Sequence, residues 1–314
     1  MTALFQLKDF SAKFLSSLYL QGLVQGNLTE QAARSVDSMM RSKLGSTPLA
    51  PDTVTDVRCV ELPAGVNTVR CDSLANSSDA NTLVTNYYQG GPGTVRDQAI
   101  LDTLVLMMEE PVFDTLRTQE QLGYSVSMTV RNTFGVLGIS VTVNTQATKF
   151  TPDHVDQRIE AFFKSFISEQ LTEKNVAQAV QSLIKLKLAA DITLDEEMNR
   201  NWQEILGREY IFDRPEALAS ILSSIRLVSV SLYPSYLTVD CDSLSDVKKM
   251  LVPLISGKKL STQIVGSSAP DDASGGESDE KETVLTYHEG EQLQAKPNEW
   301  KQTLKVYPVI FIQK

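Results

Sequence analysis

The 314-residue chain is 42% hydrophobic and 22% charged, with a formal net charge of −10, two histidines and three cysteines. At roughly 100–200 residues per domain it has material for two domains or one large one. The acidic balance argues against a nucleic-acid partner, which needs a basic patch. His154 and His288 stand far apart, and Cys59, Cys71 and Cys241 form no CxxC pair, so no self-contained zinc site of the common kind is visible.

The first elements read as helix, strand, helix. Phe5, Leu7, Phe10, Phe14 and Leu15 recur near helical spacing, with Lys8 and Lys13 on the other side. Leu18–Gln25 is an apolar run of strand length ending at Gly26-Asn27. Thr29 then caps a helix to about Lys43, with Asp37 and Arg41 four apart. A lone strand cannot bury both faces, so residues 1–50 are expected to be the end of a larger domain.

Gly45–Thr55, with Pro48 and Pro51, reads as a joint. Strands are expected at Val57–Leu62, Val66–Leu74 and Thr82–Gln89. Gly90–Gly93 is a turn, because no Lys-Ser/Thr follows to make a phosphate loop. A helix from about Thr94 to Leu116 buries Val95, Ile100, Leu101, Leu104 and Met108, and Pro111 should disturb it by removing a donor. Gly123 precedes two strands, Tyr124–Arg131 and Val136–Thr145, joined by a turn over Asn132–Gly135.

Thr151-Pro152-Asp153 starts a helix whose Val155, Ile159, Phe162, Phe163 and Phe166 share a face. Further helices are expected to about Ala190 and over Asp195–Tyr210, and a strand at Ser261–Val265. Strands followed by paired helices predict an α+β fold, an antiparallel sheet packed on helices. Residues 57–266 form the main domain, 267–282 an acidic linker and 283–314 a packed tail. Between Asp271 and Glu282 six acidic residues face Lys281 alone, so half the net charge belongs to the linker. No apolar run approaches the ~18 residues of a membrane span. With no leader pattern and an odd cysteine count, the expectation is a soluble cytoplasmic protein.

Four blocks carry a family resemblance. Glu109–Tyr124 reads EEPVFDTLRTQEQLGY, residues 131–150 read RNTFGVLGISVTVNTQATKF, and RNW at 200–202 and YIFDR at 210–214 follow in register. Together with LVQGNLTEQAA at 23–33, they resemble the C-terminal half of the pitrilysin/insulysin family of inverted-motif (HxxEH) zinc peptidases, in its nardilysin-like branch. The resemblance implies repeated α+β units, with this chain holding the end of the third and the whole fourth, a peptidase-family metallopeptidase fold. It places the zinc in an N-terminal half, fused or separate, and no cofactor here: neither histidine lies in an HxxEH. It implies a peptide substrate cut near basic residues, contacted by Arg117 and Tyr124. Phe113, one turn before Arg117, is a third candidate for that wall.

Other readings of these residues stand beside this one. Arg117 could pair with Asp114 or Glu120 on a solvated helix, and Tyr124 could be a core aromatic at a strand start. Trp202 and Phe212 are expected in the core, and His154 on the surface. The β-rich Ile225–Val239 departs from the family pattern. The alternative to half a peptidase is a non-catalytic peptide-binding or scaffold protein, or a truncated gene model.

Overall fold

The computed structural model describes residues 2–50, 57–65, 67–73, 76, 78–227, 243–267, 284–287, 292–293, 297–309 and 312. The expected acidic linker, apart from Ser267, and most of Ile225–Val239 lie outside them. The described chain separates into two compact units, residues 1–57 with 190–212, and residues 58–189 with 213–314.

In the first unit, α1 (Thr2–Ser16) and α2 (Glu30–Leu44) flank a minimal parallel pair, β1 (Ser17–Leu18) and β2 (Thr47–Pro48). The strand expected over Leu18–Gln25 is thus only two residues long. Its remainder has no partner strand among the described residues, and Tyr19, Leu20 and Val24 are exposed. Thr29 caps α2 by accepting from the Ala32 N–H, and Gly45 closes it in the left-handed conformation. Residues 190–212 contribute a helix to this unit, α6 (Leu194–Leu206) in chain order, capped by Thr193 with Glu196. Asn201 donates to the Gln25 side chain at 3.0 Å, and Arg200 bridges to Asp191 at 2.7 Å. Helix α6 stops at Leu206 because Arg208 and Tyr210 turn to positive φ, short of the expected Tyr210. Phe212 is 46% exposed and Trp202 half-buried, so the core expected for Phe212 does not form.

The second unit is a mixed, mostly antiparallel sheet packed on helices. Its strands are β3 (Asn67–Ser73), β4 (Asn81–Pro92), β5 (Ser125–Thr133), β6 (Val136–Gln146), β7 (Lys258–Val265), β8 (Val284–Tyr287) and β9 (Gln292–Leu293), in the order β5-β6-β4-β7-β3-β8-β9. Only β3–β7 is parallel among these pairs. The expected strand at 57–62 is reduced to one bridge, Val60–Val306, with the tail residue Tyr307 buried beside it. Val136–Val141 are buried in succession, as a strand covered on both sides and both faces must be.

Helices α3 (Val95–Phe113), α4 (Pro152–Ser165), α5 (Glu173–Lys187), α7 (Arg214–Leu227) and α8 (Ser243–Ser256) build the other layer. Helix α4 lays its expected stripe inward: Val155, Ile159, Phe162 and Phe163 are buried, and Phe163 meets Tyr88 of β4 edge-on at 5.2 Å. Leu104 and Met108 of α3, Leu222 of α7 and Leu251 of α8 complete the core with no exposed surface.

Candidate functional site

Helix α3 begins at a full capping box between Thr94 and Asp97, which fixes its register. Its buried face, from Val95 through Leu104 to Val112, anchors it. Pro111 does not end the helix. Without its N–H, the chain stays helical to Phe113 and then widens into a π-turn over Asp114–Gln119, where the Asp114 N–H reaches the Glu110 and Pro111 carbonyls and the Glu120 N–H reaches Thr115. Leu116 is fully buried in this turn and its carbonyl accepts from Leu122 at 2.9 Å.

The chain then enters β5 through Gly123. A Cβ there would collide with the Asn144 carbonyl oxygen, so only glycine allows this approach to β6. The Tyr124 N–H donates to that carbonyl at 3.1 Å. Residues 114–124 are therefore pinned by a buried leucine at one end and a sheet at the other.

Between these pins the three candidate residues meet. The Arg117 guanidinium carbon lies 4.6 Å from the Phe113 ring centre and 5.3 Å from that of Tyr124. Tyr124 is 85% exposed, so it is not the core aromatic that a strand start usually holds. The two carboxylates that could have taken Arg117 are engaged elsewhere. Glu120 receives Arg158 in two hydrogen bonds of 2.8 and 2.6 Å, and Asp114 receives Gln119 at 2.7 Å. Among the described residues no carboxylate pairs with Arg117. Held by two rings, its guanidinium keeps its N–H donors for a ligand, and the Tyr124 hydroxyl can donate beside it. His154 is exposed and stacks on Phe150 at 5.3 Å.

A second polar cluster escaped the sequence. Lys259 of β7 bridges Asp156 and Glu160 of α4 at 2.6 and 2.7 Å. Asn86 donates to Asp156 and the Tyr88 hydroxyl to Glu160. Burial, reinforced by Glu160, raises the Tyr88 phenol well above its ordinary range. Asp156 and Glu160, four apart on a helix otherwise apolar on that side, were the available signal; Lys259 lies a hundred residues away. The cluster borders a cavity of about 270 Å³ reached by Gly65 and Gly257.

Among the described residues no group of three or more His, Cys, Asp or Glu could hold a metal ion, so the residues present do not fit a zinc site. No helix among them is long and apolar enough to cross a membrane.

The fold is that of an M16 peptidase domain. Over 90% of the chain and 27% of the other, it superposes on the crystal structure of pitrilysin with a TM-score of 0.60 at 16% identity. Residues 103–202 match the family model for PQQ synthase PqqF-like, C-terminal lobe domain 4. The chain is homologous to the nardilysin/insulin-degrading enzyme family over part of those proteins' length. It is 44% identical to nardilysin of Homo sapiens over 210 residues, 66% of this chain and 18% of that one. It is 29% identical to insulin-degrading enzyme of Homo sapiens over 242 residues, 75% of this chain and 23% of that one. The chain thus spans about a fifth of the length of these relatives, in their C-terminal region.

Proposed function

We propose that this chain supplies the substrate-binding wall of a nardilysin-like zinc endopeptidase that cuts peptides near basic residues, together with an HxxEH-bearing N-terminal half. The observation that carries the reading is Arg117, an arginine without a carboxylate partner among the described residues, braced by Phe113 and Tyr124. Zinc, held by the other half, would supply the activated water. The residues here would do the rest: the guanidinium donates to carbonyl oxygens of an extended peptide, and the Tyr124 hydroxyl donates to the carbonyl oxygen on which negative charge develops. The 44% identity to nardilysin supports this assignment. The exposed apolar stripe of α1, with Leu4, Phe5, Leu7, Phe10 and Phe14 each at least 60% exposed, supports packing of the first unit against further chain. An odd cysteine count suits the cytoplasm.

The test is complementation. A peptide with one dibasic pair is incubated with the purified chain, with a nardilysin-type N-terminal half, and with both. Cleavage only in the mixture supports the proposal. Cleavage by this chain alone contradicts it, and tight peptide binding with no cleavage in the mixture marks a non-catalytic binding protein instead.

A further inference from the structure

Strand β5 ends the sheet: it pairs with β6 on one side and, among the described residues, with no strand on the other. Its orientation follows from the hairpin. Thr133 and Val136 flank a two-residue loop, Phe134 and Gly135, with φ of 52° and 80°. Two left-handed residues define the loop whose flanking pair exchanges both backbone hydrogen bonds. The register runs unshifted from that pair to Ser125–Asn144, so the odd-numbered residues of β5 bond β6. Val126, Met128 and Val130 therefore turn their N–H and C=O groups to the sheet edge. Their side chains are buried or half-buried, which leaves those backbone groups as the functional surface of the edge.

Sheet edges in soluble proteins are usually blunted by proline, lysine, a bulge within the strand or an inward charge. Over its nine residues β5 has no proline and no lysine, and its one charge, Arg131, points outward over the Tyr87 ring at 5.8 Å. The outer face is Ser125, Ser127 and Thr129, small side chains that let another backbone approach. At its start stands Tyr124, with Arg117 over its ring.

We infer that the free edge of β5 binds an extended, proline-free segment of the peptide substrate as an added strand, which continues past Ser125 to Tyr124 and Arg117. This rests on the substrate-binding reading above and states how the peptide is held. Recognition through backbone hydrogen bonds tolerates many side chains and requires unblocked amides on alternate residues.

The probe is a fluorescent, end-blocked ten-residue peptide with one Arg-Arg pair, no proline and a non-repeating remainder, N-methylated at one position at a time. Its binding to the full chain is followed by anisotropy. The expected result is a period of two: methylation at alternate positions weakens binding about tenfold or more, and at the positions between changes it less than about twofold. Val130→Pro, which removes an edge N–H and no bond to β6, should reproduce the tenfold loss, and Val130→Ala should not. Should Val130→Pro fail to fold, the methylation scan on the unaltered chain decides. A scan without the period, or wild-type binding by folded Val130→Pro, overturns the inference. A flat scan with a dimer that Val130→Pro dissociates overturns it in favour of a second copy on the edge. Complementation reports separately: cleavage with a flat scan removes only the added strand, and a clear period without cleavage removes only the peptidase reading.

Discussion

The Arg117 guanidinium carbon stands 5.3 Å from the centre of the Tyr124 ring, across six intervening residues that hold the end of the π-turn and a left-handed Gln121. Neither side chain is buried. A cation over an exposed ring contributes about 0.5–1 kcal/mol. Tyr124→Ala and Phe113→Ala should therefore lower unfolding stability by no more than about 1–1.5 kcal/mol. Leu116→Ala, one residue from Arg117 but fully buried, should lose about 2–5 kcal/mol. Urea denaturation of the three variants measures the contrast; equal losses would show that the aromatic pair is structural.

Gly123 makes the site possible through its missing side chain. Gly123→Ala must move β5 away from the Asn144 carbonyl, at a cost of more than about 2 kcal/mol. It should also displace Tyr124, whose N–H bonds the same oxygen. Calorimetry and the near-ultraviolet tyrosine signal would register both effects.

Lys259 is buried between two carboxylates. Lys259→Ala leaves Asp156 and Glu160 facing each other without a cation and should cost about 3–5 kcal/mol. A loss below about 1 kcal/mol in chemical denaturation would mean that the pair is solvated in a way the burial does not suggest.

Tyr87 gives the fold an alkaline limit. Burial is the main reason its phenol is pushed up to about 12, from the ordinary value of 10.0. Between these values the unfolded chain has lost the proton and the folded chain still holds it. Stability is thus complete below pH 10 and declines as pH rises to about 12. The loss assignable to Tyr87 is up to about 2–3 kcal/mol. Tyr87→Phe should flatten this decline in a pH series of urea melts, leaving the part that belongs to Tyr88, whose phenol is raised in the same direction.

How much of this was legible depended on distance along the chain. Helix starts are local, and Thr29, Thr94, Thr151, Thr172 and Thr193 each cap the helix that follows. The β5–β6 hairpin is local too, written by Asn132 and Gly135. Arg117 and Tyr124 are singled out only through the family resemblance and Phe113 by its one-turn spacing from Arg117; the π-turn over Asp114–Gln119 that follows Pro111 was not legible, since a proline there reads as disruption. What stayed hidden is long-range. The parallel pairing of β3 with β7 joins residues nearly two hundred apart, and the same pairing delivers Lys259 to α4. The strand expected at Leu18–Gln25 shows the converse: an apolar run of the right length is no strand without a partner edge.

The central claim is that Arg117 and Tyr124 act on the peptide and do not merely pack. The most direct measurement is kcat/KM for a dibasic peptide in the complemented enzyme, with Tyr124→Phe compared against the unaltered chain at matched stability. Loss of the hydroxyl alone should lower kcat/KM by about 10²–10³, chiefly through kcat, because that donor bonds most strongly to charge present only in the transition state. Unchanged kcat/KM in Tyr124→Phe would contradict the account.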